Sequence, residues 1–169
     1  MYEKKILRSN LKKVNNKEFN LSIKNVKFLS KLIEMKKICT YISLDSEPNI
    51  NSFLNSSLEI QTTFIENNEL NVCLLQEPFV INKLKIKEPK NIEIANCTDI
   101  FFVPGLAFSR SGMRLGRGKG LYDKLLAKYP NSLKVGICLS SNLYDDLPQE
   151  PHDIIMDYVL TENENIKIH

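Results

Sequence analysis

The sequence predicts an α/β domain, layered α/β/α, in which helices cover both faces of a mainly parallel sheet. Two observations predict it. Apolar runs of strand length, rich in β-branched and aromatic residues, recur along the chain, and helical stripes of period 3.6 stand between them. Runs such as "IFFV" and "LKVGICL" are apolar at nearly every position, the pattern of strands buried on both faces. The 169 residues are enough for one compact domain with its own core, taken as residues 1–169.

The elements follow in order. "KKILRSNLKKV" carries Ile6, Leu7, Leu11 and Val14 on one helical stripe. "NLSIKNVKFLSKLIEM" repeats that stripe with Leu21, Val26, Leu29, Leu32 and Ile33. "ICTYISL" reads as a buried strand. "NINSFLNSSL" reads as a short amphipathic helix with Ile50, Phe53, Leu54 and Leu58. "LNVCLLQ" is a strand, and the polar stretch "FVINKLKIKEPKNIEIANC", interrupted by Pro89, reads as a connection. "IFFV" is a strand stopped by Pro104 and Gly105. "LYDKLLAKY" is a helix closed by Pro130, and "LKVGICL" and "DYVLT" are strands. No internal repeat or interdomain linker interrupts this order.

Composition narrows the function classes. The chain is 43% hydrophobic and 25% charged, ordinary for a soluble globular protein. No apolar run approaches the roughly 20 residues that span a bilayer, so no membrane partner is expected. The opening "MYEKKILRSNLKKVNN" spreads its charges and lacks an apolar core, which argues against a secretory signal. The four cysteines form no CxxC pair, so neither a zinc site nor a redox pair is signalled. Cys39, Cys73 and Cys138 sit in apolar runs and are expected to be buried free thiols, consistent with a cytoplasmic location. A net charge of +3 is too small to imply a nucleic-acid partner.

One stretch departs from this ordinary background. Five of the six glycines and three of the four arginines fall within residues 105–120, leading into "GMRLGRGKGLYDKLL". The order is strand, loop, helix, and in α/β sheets ligands bind beyond the carboxyl ends of strands, where such loops lie. Gly116, Gly118 and Gly120 alternate as GxGxG, free to take positive φ and to admit a close approach to the backbone. Successive exposed N–H groups form an anion nest, and the following helix adds unpaired donors. Arg114, Arg117 and Lys119 place cations among them. The spacing is neither the Walker loop nor the dinucleotide fingerprint. Asp123 falls in the first turn of the helix, where it either complements the dipole or holds Mg²⁺ against phosphate. Asp153 in "EPHDIIMDYV" is a candidate second carboxylate. With His152 and His169 as the only histidines, no histidine-based triad is plausible.

At these residues the chain resembles the 5-formyltetrahydrofolate cyclo-ligase family, also called methenyltetrahydrofolate synthetase. "DIFFVPGLAFSRSGMRLGRGKGLYDKLL" is similar to the family's signature of Asp, apolar strand, Pro-Gly, Phe, then GxRxGxGxGxYD. "KKILR", the pair Glu88-Pro89 and the tail "LPQEPHDIIMDYVLTE" also fit its pattern. The resemblance implies a layered fold related to the ribose-5-phosphate isomerase and CoA-transferase group. It implies ATP- and Mg²⁺-dependent cyclisation of 5-formyltetrahydrofolate to 5,10-methenyltetrahydrofolate, with release of ADP and phosphate, through a phosphorylated formyl group. ATP as co-substrate is then expected at Lys4, Lys5, Arg8, Arg114, Leu115, Gly116, Arg117, Gly118, Lys119, Gly120, Leu121 and Tyr122. Folate is expected at Ile42, Glu47, Arg117, Gly118, Lys119, Gly120 and Leu121. Mg²⁺ is expected at Asp123 and Asp153, and Arg117, Lys119 and Tyr122 are the catalytic candidates. Pro48 and Ile50 replace residues usual in the family on the folate side. The expected partners are a reduced folate and ATP, with the chain acting as a monomer. The alternatives are an ATP-binding relative with a changed substrate, and a non-catalytic RNA-binding module using the basic loop.

Overall fold

The computed structural model describes residues 2–11, 19–54 and 59–168. Helix α1 (Tyr2–Leu11) opens the chain, with Leu11 buried and Lys4 and Arg8 one turn apart on a shared face. Helix α2 (Ile23–Leu32) starts at Ser22, whose hydroxyl accepts the Asn25 N–H. Its inner face buries Leu29 and also Asn25. The Asn25 side chain is paired through both its nitrogen and its oxygen, donating to the Thr161 carbonyl at 2.9 Å and accepting from Asn165 at 2.7 Å. Burying an amide unpaired would cost about 1–3 kcal/mol, so these bonds fix where α2 sits.

The strands are β1 (Ile38–Thr40), β2 (Ile60–Glu66), β3 (Glu69–Leu74), β4 (Phe79–Ile81), β5 (Lys87–Pro89) and β6 (Ile100–Pro104). They continue with β7 (Ala107–Ser109), β8 (Arg114–Leu115), β9 (Leu133–Ile137), β10 (Leu143–Tyr144), β11 (Tyr158–Leu160) and β12 (Asn165–Lys167). Helix α3 (Leu121–Ala127) lies between β8 and β9. The main sheet has seven strands in the order β12-β11-β9-β6-β1-β2-β3. The inner pairs are parallel, and β12 and β3 close the two edges antiparallel.

The β6 run is buried at all five positions because both of its sides are covered. Ile100 and Phe102 pack in one core with Leu29 and Ile33 at the α2 face. Phe101 and Val103 point the other way, into a second core with Leu125 and Leu126 of α3. Burial of each such side chain contributes about 1.5–3 kcal/mol. The chain therefore forms the expected mixed α/β domain with a large, mainly parallel sheet. A small three-stranded sheet, β10-β7-β8, carries a third core of Leu106, Ala107, Met113 and Leu115, against which Leu11 and Leu7 pack. That contact places α1 next to the loop following β8.

Several elements differ from the sequence reading, and β7, β8, β10 and β12 have no counterpart in it, the first two lying in the stretch read as the loop between β6 and α3. Strand β2 has no counterpart in it, because "IQTTFIE" mixes polar with apolar residues; the buried Gln61 is satisfied by the Thr98 hydroxyl and the Cys97 carbonyl. Among the described residues of "NINSFLNSSL", 49–54, a single 3₁₀ turn, Asn51–Phe53, stands where a helix was expected, and Ile50 is buried. The stretch read as a connection contains the hairpin β4–β5, with Pro89 at its end. The strand in "ICTYISL" ends at Thr40, where the chain turns into the site. Val14, Leu58 and His169 lie outside the described residues. Among the described residues, no helix is long and apolar enough to cross a membrane.

Candidate active site

Beyond the carboxyl ends of β1 and β6, and against Thr63 and Ile65 of β2, lies a cleft of about 350 Å³. Its lining draws on segments more than a hundred residues apart. Lys4, Arg8, Ile42, Glu47, Arg114, Gly116, Arg117, Gly118, Lys119, Gly120, Leu121, Tyr122, Asp123 and Asp153 all face it. Two residues of the expected nucleotide set do not. Lys5 is exposed and lies outside the cleft. Leu115 is buried in the small core, because strand alternation turns it away from Arg114.

The glycine-rich loop forms the floor of one half. Gly118 has φ +95° and Gly120 has φ +62°, both in the left-handed region. A Cβ built on Gly118 would sit 3.4 Å from Arg8 Cζ. Arg8 Nε donates to the Gly116 carbonyl at 2.9 Å, tying α1 to the loop. Arg114 Nη2 donates to Asp123 Oδ2 at 2.8 Å, and its guanidinium lies 5.5 Å from the centre of the Tyr122 ring. Arg114 Nε is buried and has no hydrogen-bond partner among the described residues, leaving a donor for an incoming oxygen. Burial pushes the Tyr122 hydroxyl well above its ordinary range, so it stays protonated and can donate.

Lys4 Nζ reaches Asp153 Oδ2 at 2.5 Å and Glu150 Oε2 at 3.4 Å. The Glu150 N–H also donates to Asp153, at 2.7 Å. Burial alone would raise the Asp153 carboxyl, but the Lys4 ammonium and the Glu150 amide outweigh it and hold it below its usual range. The Asp153 oxygen, a Glu150 oxygen and a His152 nitrogen lie within 4.8 Å of one another. Asp123 is not in that group, although it faces the same cleft. The sequence reading set His152 aside, yet it lines the cleft in a solvent-exposed position.

The other half is more apolar. Ile42 and Leu44 follow β1, Ile65 and Leu70 come from the β2–β3 hairpin, and Leu84 and Ile86 from the β4–β5 hairpin. Glu47 is buried there. Its Oε2 accepts from the Leu44 N–H at 3.1 Å, and its Oε1 meets Arg117 Nε and Nη2, each at 3.4 Å. Arg117 Nη2 also donates to the Ser46 hydroxyl at 2.5 Å. Glu88 accepts from Asn82 at 2.9 Å and from the Ile65 N–H at 3.3 Å, which ties the hairpin to β2. The two family departures sit in the scaffold. Ile50 is in the core, and the Pro48 carbonyl accepts the Tyr41 hydroxyl at 2.7 Å. Leu84 and Ile86 carried no signal in the sequence, since they lie in a polar stretch without periodicity.

The arrangement offers clustered cations, exposed loop amides and two paired carboxylates beside an apolar recess containing a fixed carboxylate. That is the equipment for holding a polyphosphate next to a flat, partly apolar molecule with hydrogen-bond donors.

Comparison with known proteins agrees. The model described as the 5-formyltetrahydrofolate cyclo-ligase family matches residues 3–162. A 5-formyltetrahydrofolate cyclo-ligase of Mycolicibacterium smegmatis is 30% identical over 150 residues, covering 79% of this chain and 77% of that protein. One of Mycoplasma genitalium is 30% identical over 130 residues, covering 75% and 72%. The solved structure of the Aquifex aeolicus 5,10-methenyltetrahydrofolate synthetase superposes with a TM-score of 0.81 at 30% identity, covering 98% of this chain and 92% of that one.

Proposed function

The chain belongs to the 5-formyltetrahydrofolate cyclo-ligase family, and from that premise we propose that it closes 5-formyltetrahydrofolate to 5,10-methenyltetrahydrofolate at the expense of ATP, in the cleft described above. The observation that carries the site assignment is convergence. Lys4 and Arg8 of α1, Arg114 and residues 116–120 of the loop, and Asp123 and Asp153 meet in one cleft although they span 149 positions of sequence.

The chemistry follows from what a formamide lacks. Its oxygen is a poor leaving group, and the oxygen attacks the γ-phosphorus of ATP while the bond to ADP breaks. The formyl carbon is then electrophilic. The neighbouring nitrogen-10 attacks it, loses its proton to solvent, and the carbon–oxygen bond breaks to release phosphate. Such a path needs positioning and charge neutralisation rather than a protein nucleophile. Lys4, Arg8, Arg114 and the loop amides hold the polyphosphate. Arg117 and Lys119 neutralise charge as it moves, and the protonated Tyr122 hydroxyl donates a hydrogen bond. Ile42, Leu121 and Glu47 receive the pterin, whose donor edge suits a carboxylate.

Asp123 and Asp153 are the proposed magnesium ligands. Their carboxylate oxygens suit a hard cation, which takes one or two protein carboxylates and completes its six oxygens from phosphate and water. Arg114 and Lys4 pair with these carboxylates here, a match in charge that a divalent ion and a phosphate would take over together. When bound, the ion screens the β- and γ-phosphate charge.

An absorbance assay for the methenyl product tests the proposal. Product is expected with 5-formyltetrahydrofolate, ATP and Mg²⁺ together. Absence of product, or product formed equally without ATP, overturns it.

A further inference from the structure

We propose that Arg117 is an exchangeable positioning residue that couples the two halves of the cleft. Glu47 holds it in this structure, and it passes to the phosphates when the folate edge takes its place on Glu47. The inference rests on the function proposed above and goes beyond it, because it sets how the two substrates affect each other.

Three observations carry it. The first is the asymmetry of the pair. Glu47 is 9% exposed and pinned through its other oxygen by the Leu44 N–H, whereas Arg117 is 39% exposed and reaches Glu47 only at 3.4 Å. Glu47 is the fixed partner and Arg117 the movable one. The second is that the pair blocks the use proposed for Glu47. A carboxylate accepts two parallel hydrogen bonds from an amino-pyrimidinone edge with both of its oxygens. Oε1 already meets two Arg117 nitrogens whereas Oε2 meets one backbone N–H, so a ligand that needs a lone pair on each oxygen displaces the guanidinium. The third is the mounting of Arg117. It stands between Gly116 and Gly118 in the phosphate loop, and Gly118 has φ +95°. Neither neighbour has a side chain to obstruct the arginine's swing. Lys119, also in that loop, lines the same cleft, so the released guanidinium stays beside the anion nest.

The consequence is positive coupling. Folate alone must break the Arg117–Glu47 contact, and so must a nucleotide that recruits Arg117. Whichever binds first has already broken it for the second. By linkage, each ligand then tightens the other by the same factor, with about 5- to 150-fold the usual range for such coupling.

Titration calorimetry on the full chain tests this. The probes are the β,γ-imido analogue of ATP with Mg²⁺, and 5-formyltetrahydrofolate. In the wild type, saturating folate is expected to tighten the analogue at least about fivefold. In Arg117→Met the factor falls to near one. In Ser46→Ala, which loosens the clasp but leaves the arginine, the analogue alone binds tighter than in wild type and the factor shrinks. A residue with a merely structural role would not produce that opposite pair of shifts. A wild-type factor of one with both ligands bound overturns the coupling and leaves the proposed function standing. A full factor retained in either variant does the same. Failure of the wild type to bind either ligand overturns both.

Discussion

Arg114 and Asp123 form a nearly buried ion pair across the start of α3, with Nη2 and Oδ2 2.8 Å apart and side chains only 7% and 13% exposed. A surface charge complementing a helix dipole would be worth some tenths of a kcal/mol, and it would not need an arginine to accompany it into the interior. The arrangement suits a carboxylate kept ready for a cation and a guanidinium kept ready for an anion. Asp123→Asn is therefore expected to lower turnover and to shift the magnesium titration of the rate upward by roughly tenfold or more, the scale of one lost charged hydrogen bond of about 1.5–3 kcal/mol. An unshifted titration with a small loss of melting temperature would remove Asp123 from the metal site.

Gly118→Val is expected to weaken nucleotide binding while leaving the fold intact. A φ of +95° is costly for a branched residue, about 1–3 kcal/mol. The new side chain would also press on Arg8, which would stand 3.4 Å from its Cβ. Calorimetry with a non-hydrolysable ATP analogue checks this, with circular dichroism as the control for folding. Unchanged affinity would mean that nucleotide does not touch the loop.

Much of this architecture was legible in the sequence, and what was not has a physical reason. The central strands announce themselves because burial on both faces makes them apolar, throughout in β6 and at every position but Lys134 in β9. Strand β2 does not, since Gln61 and Thr62 are buried there as polar residues. The strands of the β4–β5 hairpin have one buried position, Pro89, and so lack any periodic signal. In the site, the concentration of glycine and arginine marked the loop, whereas Lys4 and Arg8 were indicated only by the family resemblance of "KKILR". The pairings Arg117–Glu47, Lys4–Asp153 and Arg114–Asp123 are products of the fold, which no local pattern encodes. The family departures at Pro48 and Ile50 look functional in one dimension and are scaffold in three.

Glu47→Gln is expected to impair folate use by roughly ten- to a hundredfold in kcat/KM, corresponding to about 1–3 kcal/mol for one mismatched buried polar group. Nucleotide affinity measured without folate should not fall, because the amide holds Arg117 less firmly than the carboxylate does. Steady-state kinetics varying each substrate in turn, with a separate nucleotide titration, separates the two effects. Folate parameters equal to wild type would exclude Glu47 from the pterin site.

The thiols report on the core independently of activity. Burial pushes the Cys73 thiol up to about 11 and the Cys138 thiol up to about 12, and it raises Cys39 as well. A raised pKa depletes the thiolate, which is the reactive form, so these three stay inert near neutral pH and Cys97 alone is exposed. A disulfide exchange reagent at pH 8 should titrate one thiol in the folded chain and all four in denaturant. Rapid reaction of two or more in the folded state would contradict the packing around β1, β3 and β9.

In the proposed reaction the cleft drives ring closure by phosphorylating the formyl oxygen. The most direct test of that step uses 5-formyltetrahydrofolate labelled with oxygen-18 in the formyl group, turned over with unlabelled ATP and Mg²⁺ in ordinary water. One labelled oxygen is expected in each inorganic phosphate released, because that oxygen is the one transferred out with phosphorus. Unlabelled phosphate, with the heavy oxygen recovered in water, would mean that ATP is hydrolysed apart from the cyclisation and would contradict that step.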